Sequence, residues 1–308
     1  MLTSERIFSK LMRDINEGRF VLTGELEPEK TTDLTEVIEA AEALKRYVTA
    51  CNVTDGPGSF AYMSSLVASH ILQRETGVEM IYQLVCRDRN VIGLFADLLG
   101  AGALGIRNIL ALTGDHPSIG DHPDAKPVYD LDSAQLTHMI RKMVDEGIDL
   151  YGNPIHKPPK FHVGVAANPN ADPFEPEVLK IGRKVKAGAE FIQTQVVFDI
   201  DVAKQFLKEV DRFNIPILMG IFPMKSYGVA KFFDKNIPGV PVPADLLEKL
   251  KKAKSLNKKI RKQKYDKINL ELFIPFIKEL RKTSAAGCHI MAVGYERLVP
   301  KLFEAVKI

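Results

Sequence analysis

Eight short apolar runs, each followed by a segment of helical spacing, constrain this chain more than any other feature of its sequence. The runs are Phe20–Glu25, Ala50–Thr54, Met80–Cys86, Asn108–Thr113, Phe161–Ala167, Phe191–Val196, Pro216–Ile221 and Cys288–Val293. Between and after them lie helical stretches at Leu34–Tyr47, Ser65–Glu75, Val91–Ala103, Ser133–Glu146, Glu177–Ala187, Val202–Arg212, Leu272–Thr283 and Arg297–Val306. Strand-like runs alternating with helices mark βα units on a parallel sheet. Eight such units in 308 residues fit a closed (β/α)8 TIM barrel. An open doubly wound sheet would more often place a glycine-rich phosphate turn after its first strand, whereas the turn here reads Gly24-Glu25-Leu26-Glu27-Pro28. The expectation is one catalytic domain over residues 1–308.

With 45% apolar residues the chain can bury a large core and is not disordered. Its 42 basic and 39 acidic residues leave a net charge of +3, too small to indicate nucleic acid as the main partner. Cys51, Cys86 and Cys288 are the only cysteines, and no two have the close spacing of a zinc or iron–sulfur motif. Any such cluster would sit on another chain, and no metal ligand is assigned. The start, Met1-Leu2-Thr3-Ser4-Glu5-Arg6, leads into no apolar core with a cleavage site, and no uncharged apolar run reaches membrane-spanning length. A cytoplasmic protein with reduced thiols is expected.

Two connections are longer than a barrel requires. Asp115–Leu131, rich in Pro, His and Asp, follows a strand and therefore lies on the C-terminal face, where barrel enzymes keep their sites. Lys231–Ile268 holds Pro238, Pro241 and Pro243 and then a basic run, Lys249–Lys267, with Lys or Arg at ten of nineteen positions. It is expected to add one extra basic helix before the last strand. A solvated helix face accounts for the run, with docking of an acidic partner protein the other reading. Tyr265, its only ring, offers little stacking for single-stranded nucleic acid.

Polar residues that end barrel strands point into the mouth. That position is held by Glu25 and Glu27, Thr54 and Asp55, Gln83, Thr113-Gly114-Asp115, Asn168, and Gln193 with Gln195. A carboxylate partly removed from water has its pKa raised and can act as a general acid near neutral pH. Glu25 and Glu27 both qualify and share a face if the strand continues, so the residues alone do not say which one acts, or whether either is more than a loop carboxylate. Asp115 can accept from a ring N–H, stabilise a developing cation, or simply form a turn. Gln83 and Gln195 lie in apolar strands and need partners, either a ligand or neighbouring backbone. Arg183 and Lys184 can reach a phosphate or form a solvated helix face. His116 and His122 beside Asp121 and Asp124 read as a polar loop, since a catalytic zinc wants three ligands on rigid supports.

Taken together, Thr23-Gly24-Glu25-Leu26-Glu27-Pro28, Val53-Thr54, Ala111-Leu112-Thr113-Gly114-Asp115, Arg183-Lys184-Val185-Lys186-Ala187-Gly188-Ala189, Thr194-Gln195-Val196-Val197-Phe198-Asp199 and a closing Gly294-Tyr295-Glu296-Arg297 resemble the methylenetetrahydrofolate reductase family. The resemblance implies a flavin-bearing barrel that transfers hydride from flavin N5 to the methylene of a folate, giving 5-methyltetrahydrofolate. It implies that Glu25 is the general acid that protonates N10, that Asp115 is the carboxylate favouring the iminium, and that Gln195 and Phe233 contact the folate. It further implies that Thr54, Gln83, Thr113, Gly114, Asp115, Asn168, Arg183 and Lys184 line the flavin and its phosphates.

The chain also departs from the family pattern. Members that use nicotinamide often carry His, Arg and Tyr where this chain has Gln83, Thr113 and Asn168, and the segment from Asn168 to Arg183 is shorter. These positions lie along the dinucleotide, so the resemblance leaves FMN and FAD both open. The spelling Gly-Glu-Leu-Glu-Pro and the ending Cys-His-Ile-Met-Ala-Val-Gly-Tyr-Glu are similar to reductases of acetogenic and related anaerobes. That likeness implies a cysteine-rich iron–sulfur or zinc partner subunit as one source of electrons, with NAD(P)H the other donor left open. A homo-oligomer is a further expectation. Two rival classes stay open: a flavin-free pterin-binding methyltransferase barrel, and a catalytically silent folate-binding subunit.

Overall fold

The computed structural model describes residues 4–237 and 239–307; Met1, Leu2, Thr3 and Pro238 of the sequence reading lie outside them. Strands β1 (Val21–Leu26), β2 (Ala50–Val53), β3 (Glu79–Val85), β4 (Asn108–Leu112), β5 (His162–Ala167), β6 (Phe191–Val196), β7 (Ile217–Ile221) and β8 (Gly287–Ile290) pair in chain order. All pairings are parallel, and β8 returns to β1 to close the barrel. Each strand falls within two residues of its expected start, because both faces of a barrel strand are buried and its apolar run stands out.

Alternate residues of each strand face in and out. Leu22, Leu26, Val53, Leu84, Ile109 and Val165 point outward and are buried under the helices. Those helices are α2 (Thr35–Leu44), α3 (Ser65–Thr76), α4 (Val91–Ala103), α5 (Ser133–Arg141), α6 (Glu175–Lys186), α7 (Ile200–Val210) and, after β8, α11 (Val299–Val306). The barrel floor is packed by Val21, Ala50, Ile81, Leu110, Phe191 and Leu218, with Leu11, Met12 and Ile15 of α1 (Lys10–Asn16) pressed against them. Ser9 caps α1 through its hydroxyl, and the Glu79 carboxylate accepts from the amides of Lys10 and Leu11 at 2.7 and 3.0 Å. The plug leaves the opposite, C-terminal end of the strands as the open end.

The connection from β7 to β8 holds more than the one extra helix expected. It contains α8 (Tyr227–Asn236), α9 (Ala244–Lys254) and α10 (Lys258–Leu280), and the helix expected over Leu272–Thr283 is only the final part of α10. The basic run is divided between α9 and α10 by a break at Ser255–Asn257. Helix α10 is anchored to the loop after β7 by Asn269, whose amide accepts from Met224 N at 2.7 Å and donates to Met224 O at 3.0 Å. Among the described residues no helix is long and apolar enough to cross a membrane.

Candidate active site

Above the apolar floor, the barrel interior carries a layer of polar side chains. Asn52 and Gln193 face each other across the barrel and exchange two amide hydrogen bonds, Asn52 Nδ2 to Gln193 Oε1 at 2.7 Å and Gln193 Nε2 to Asn52 Oδ1 at 2.9 Å. The other Gln193 N–H donates to Thr23 Oγ1 at 3.2 Å. On its other side the Thr23 hydroxyl is hydrogen-bonded to His289 Nδ1, 3.0 Å away. His289 Nε2 lies 3.3 Å from Glu25 Oε2, and the tautomer with its proton on that nitrogen donates to the carboxylate. Gln83 Nε2 donates to the same oxygen at 3.4 Å. Thr23, Asn52, Gln83, Gln193 and His289 are all buried, and Glu25 is half-buried above them. Two of the expected residues, Glu25 and Gln83, thus meet directly.

Thr23 was legible only as part of a motif, and Asn52 and His289 were not singled out. Their signal is parity: each is a polar residue at an inward position of an apolar strand, and Thr23 stands in register with His289 across the β1–β8 pairing.

Glu27 lies half-buried two residues beyond Glu25. Burial, reinforced by the charges of Glu25 and Glu29, pushes its carboxyl up to about 7, against the Tyr62 hydroxyl and Lys225, which favour the anion.

Thr54, directly after β2, is buried, and its hydroxyl has no hydrogen-bond partner among the described residues. Asp115 is exposed in the loop after β4; its Oδ2 accepts from Gly58 N at 3.0 Å and its carbonyl from Ser59 Oγ at 3.2 Å. Gly114 has a φ of +93°, and an added Cβ would lie 3.0 Å from the Arg87 side chain, so the turn that presents Asp115 depends on glycine here. Thr113 Oγ1 accepts from Ser133 N at the start of α5 at 3.1 Å.

Arg183 is exposed and paired at 2.9 Å with Asp132, the residue that caps α5. Lys184 instead reaches the carbonyl of Ala166 near the end of β5, at 2.6 Å, and burial lowers its ammonium pKa. Asn168 turns its Oδ1 back onto Asn170 N at 3.0 Å. Gln195 is half-buried at an irregularity in the β6–β7 pairing, its Oε1 accepting from Val196 N at 2.9 Å. Phe233 of α8 packs on Phe222, the residue after β7, with ring centroids 4.3 Å apart. Of the expected residues, Glu25 and Gln83 meet in a cluster on β1, β3 and β8, Thr113, Gly114, Asp115, Asn168, Arg183 and Lys184 lie beside β4, β5, α5 and α6, and Thr54, Gln195 and Phe233 belong to neither group.

His116 and His122 are engaged within the β4–α5 loop, His116 Nδ1 with Ser118 and His122 Nδ1 with Asp121 at 2.9 Å. Asp121 also accepts from Ala61 N at 3.0 Å and pairs with Lys30. No cluster of three or more His, Cys, Asp or Glu side chains suited to a metal occurs among the described residues.

A family model described as methylenetetrahydrofolate reductase matches residues 10–307. Methylenetetrahydrofolate reductase 2 of Schizosaccharomyces pombe is 28% identical over 267 residues, covering 80% of this chain and 39% of that protein. Methylenetetrahydrofolate reductase (NADH) 1 of Arabidopsis thaliana is 27% identical, covering 72% and 38%. The 5,10-methylenetetrahydrofolate reductase of Escherichia coli is 24% identical, covering 74% and 72%. The chain thus spans well under half the length of the two eukaryotic relatives. Among solved structures, an uncharacterized protein from Clostridium thermocellum that binds two copies of 5-methyl-5,6,7,8-tetrahydrofolic acid aligns with a TM-score of 0.63 at 14% identity, covering 96% of this chain and 99% of that one. At that identity the likeness concerns the fold.

Proposed function

The chain belongs to the methylenetetrahydrofolate reductase family, and on that premise we propose that it is a cytoplasmic flavoenzyme that reduces 5,10-methylenetetrahydrofolate to 5-methyltetrahydrofolate on a single (β/α)8 domain. The observation that carries the reading is Glu25, a half-buried carboxyl at the mouth held on one oxygen by Gln83 and His289.

In its acid form Glu25 gives its proton to N10 of the folate. The bond from N10 to the bridging methylene then breaks, leaving an iminium between N5 and that carbon. Asp115 supplies negative charge that favours the cation. Gln195 hydrogen-bonds the pterin, and Phe233 with Phe222 forms an apolar wall. A bound flavin would supply the hydride that converts the iminium carbon to a methyl group.

Thr54, Gln83, Thr113, Gly114, Asp115, Asn168, Arg183 and Lys184 would hold that flavin. The residues fit such a group: the buried, unpartnered Thr54 hydroxyl calls for a polar ligand atom, and two neighbouring cations on α6 suit a phosphate. Electrons arrive from NAD(P)H, the nucleotide in the names of several relatives, or from a cysteine-rich partner subunit.

The purified protein should be yellow, and chromatography of the released cofactor distinguishes FMN from FAD. Glu25→Gln should keep the flavin bands and lose folate turnover by about 100-fold or more. Survival of turnover in that variant would remove Glu25 from the role. A colourless chain that takes up neither flavin would point to the flavin-free methyltransferase or the silent subunit. Brisk NADH oxidation by the isolated chain would remove the need for a partner subunit.

A further inference from the structure

We propose, resting on the reading of Glu25 as the acid of a folate reductase, that His289 is a positioning residue that selects which oxygen of Glu25 delivers the proton. Together with Gln83 it holds Oε2, and Oε1 is left as the oxygen that carries the proton to the folate.

A glutamate side chain turns about several torsions, and nothing in the residue itself distinguishes its two oxygens. At the end of β1 the distinction is imposed from both sides. Gln83 of β3 donates from Nε2 to Oε2 at 3.4 Å, and His289 of β8 brings its Nε2 to the same atom at 3.3 Å. Both contacts fall on Oε2, and among the described residues no hydrogen bond reaches Oε1. In a carboxylic acid one oxygen is a hydroxyl that donates and the other a carbonyl that accepts. Two N–H groups aimed at Oε2 make it the carbonyl, so the acid proton sits on Oε1, where no protein group competes with a substrate nitrogen.

This arrangement requires the His289 proton on Nε2, and the groups behind the ring favour it. Thr23 Oγ1 accepts from Gln193 Nε2 at 3.2 Å and lies 3.0 Å from His289 Nδ1. With the ring proton on Nε2, the Thr23 hydroxyl donates to Nδ1 and each of these groups has a partner. With the proton on Nδ1, Thr23 Oγ1 would accept twice while its own hydrogen has no acceptor among the described residues. Thr23, Asn52, Gln193 and His289 are each at most 3% exposed, so an unmatched donor among them is costly. The same hydrogen bonds exclude a proton relay through the ring. Beyond Thr23 they end in the amides of Gln193 and Asn52, which bond to each other and have no proton to exchange near neutrality. His289 orients the acid and does not reload it.

The test separates the two ring nitrogens. An asparagine amide reaches as far along the side chain as Nδ1 and a glutamine amide as far as Nε2. His289→Asn therefore keeps the bond to Thr23 and loses Glu25, while His289→Gln keeps the reach to Glu25. The flavin-loaded enzyme is reduced with dithionite and mixed with 5,10-methylenetetrahydrofolate. Flavin reoxidation should slow about 10- to 100-fold in His289→Asn, with little change in the folate concentration that gives half the maximal rate, and His289→Gln should recover most of the loss. An unimpaired His289→Asn, equal losses in the two variants, or a loss confined to folate affinity overturns the proposal. Independently of turnover, nitrogen-15 NMR of the histidine-labelled wild type should show a protonated Nε2 and an unprotonated Nδ1 at neutral pH, the His289 signals being those absent from His289→Gln. A proton on Nδ1, or on both nitrogens, overturns the proposal even where folate is reduced. If the wild type turns over no folate, the reductase reading fails, and the nitrogen-15 spectrum still decides whether His289 donates to Glu25.

Discussion

Thr23 anchors His289 at the ring nitrogen opposite the one that meets Glu25. Its hydroxyl accepts from Gln193 and shares a hydrogen bond with His289 Nδ1. Thr23→Val keeps the shape of the side chain and removes both bonds, leaving buried polar atoms on Gln193 and His289 without that partner. Urea unfolding should show a loss of about 1–3 kcal/mol, and turnover should fall because the ring that meets Glu25 loses its anchor at Nδ1. An unchanged unfolding midpoint would mean that water replaces the hydroxyl. Glu25 and Gln83 were legible in the sequence because a charge or an amide inside an apolar strand is conspicuous. His289 and Asn52 were not, because their partners, Thr23 and Gln193, lie 266 and 141 residues away.

Three βα loops form one rim around part of the mouth. The β2–α3 loop donates from Gly58 and Ser59 to Asp115 and from Ala61 to Asp121 in the β4–α5 loop, and from Met63 to Glu29 in the β1–α2 loop. Gly120 sits so close to Ser59 that an added Cβ would lie 2.0 Å from the Ser59 carbonyl oxygen. Gly120→Ala should therefore push these two loops apart and disturb Asp115, at an overpacking cost of roughly 1–3 kcal/mol. We expect flavin to dissociate about tenfold more readily while the barrel's own unfolding transition stays in place; fluorescence of released flavin measures the first and circular dichroism the second. Unchanged flavin affinity would show that the rim absorbs the methyl group. At this scale the strands were legible and α1, α8 and the full length of α10 were not. The seven-residue α1 depends on Glu79, 69 positions from Lys10, to accept its first amides. The buried face of α10 includes Asn269, a polar residue satisfied there by its bonds to Met224 and to the Tyr265 carbonyl.

The whole barrel depends on the pairing of its first and last strands. Removing β8 and α11 by ending the chain at residue 286 would leave β1 and β7 as open edges and take His289 away from Glu25. Such a truncation should lose the cooperative thermal transition and all flavin binding; a sharp transition retained by the shortened chain would show that seven strands suffice. Glu25 and His289 are 264 residues apart in sequence and 3.3 Å apart in space. During synthesis, the acid leaves the ribosome 264 residues ahead of its imidazole partner. A chain released before β8 has been made carries the acid but not the imidazole that meets it, so interrupted synthesis yields fragments that lack the assembled site.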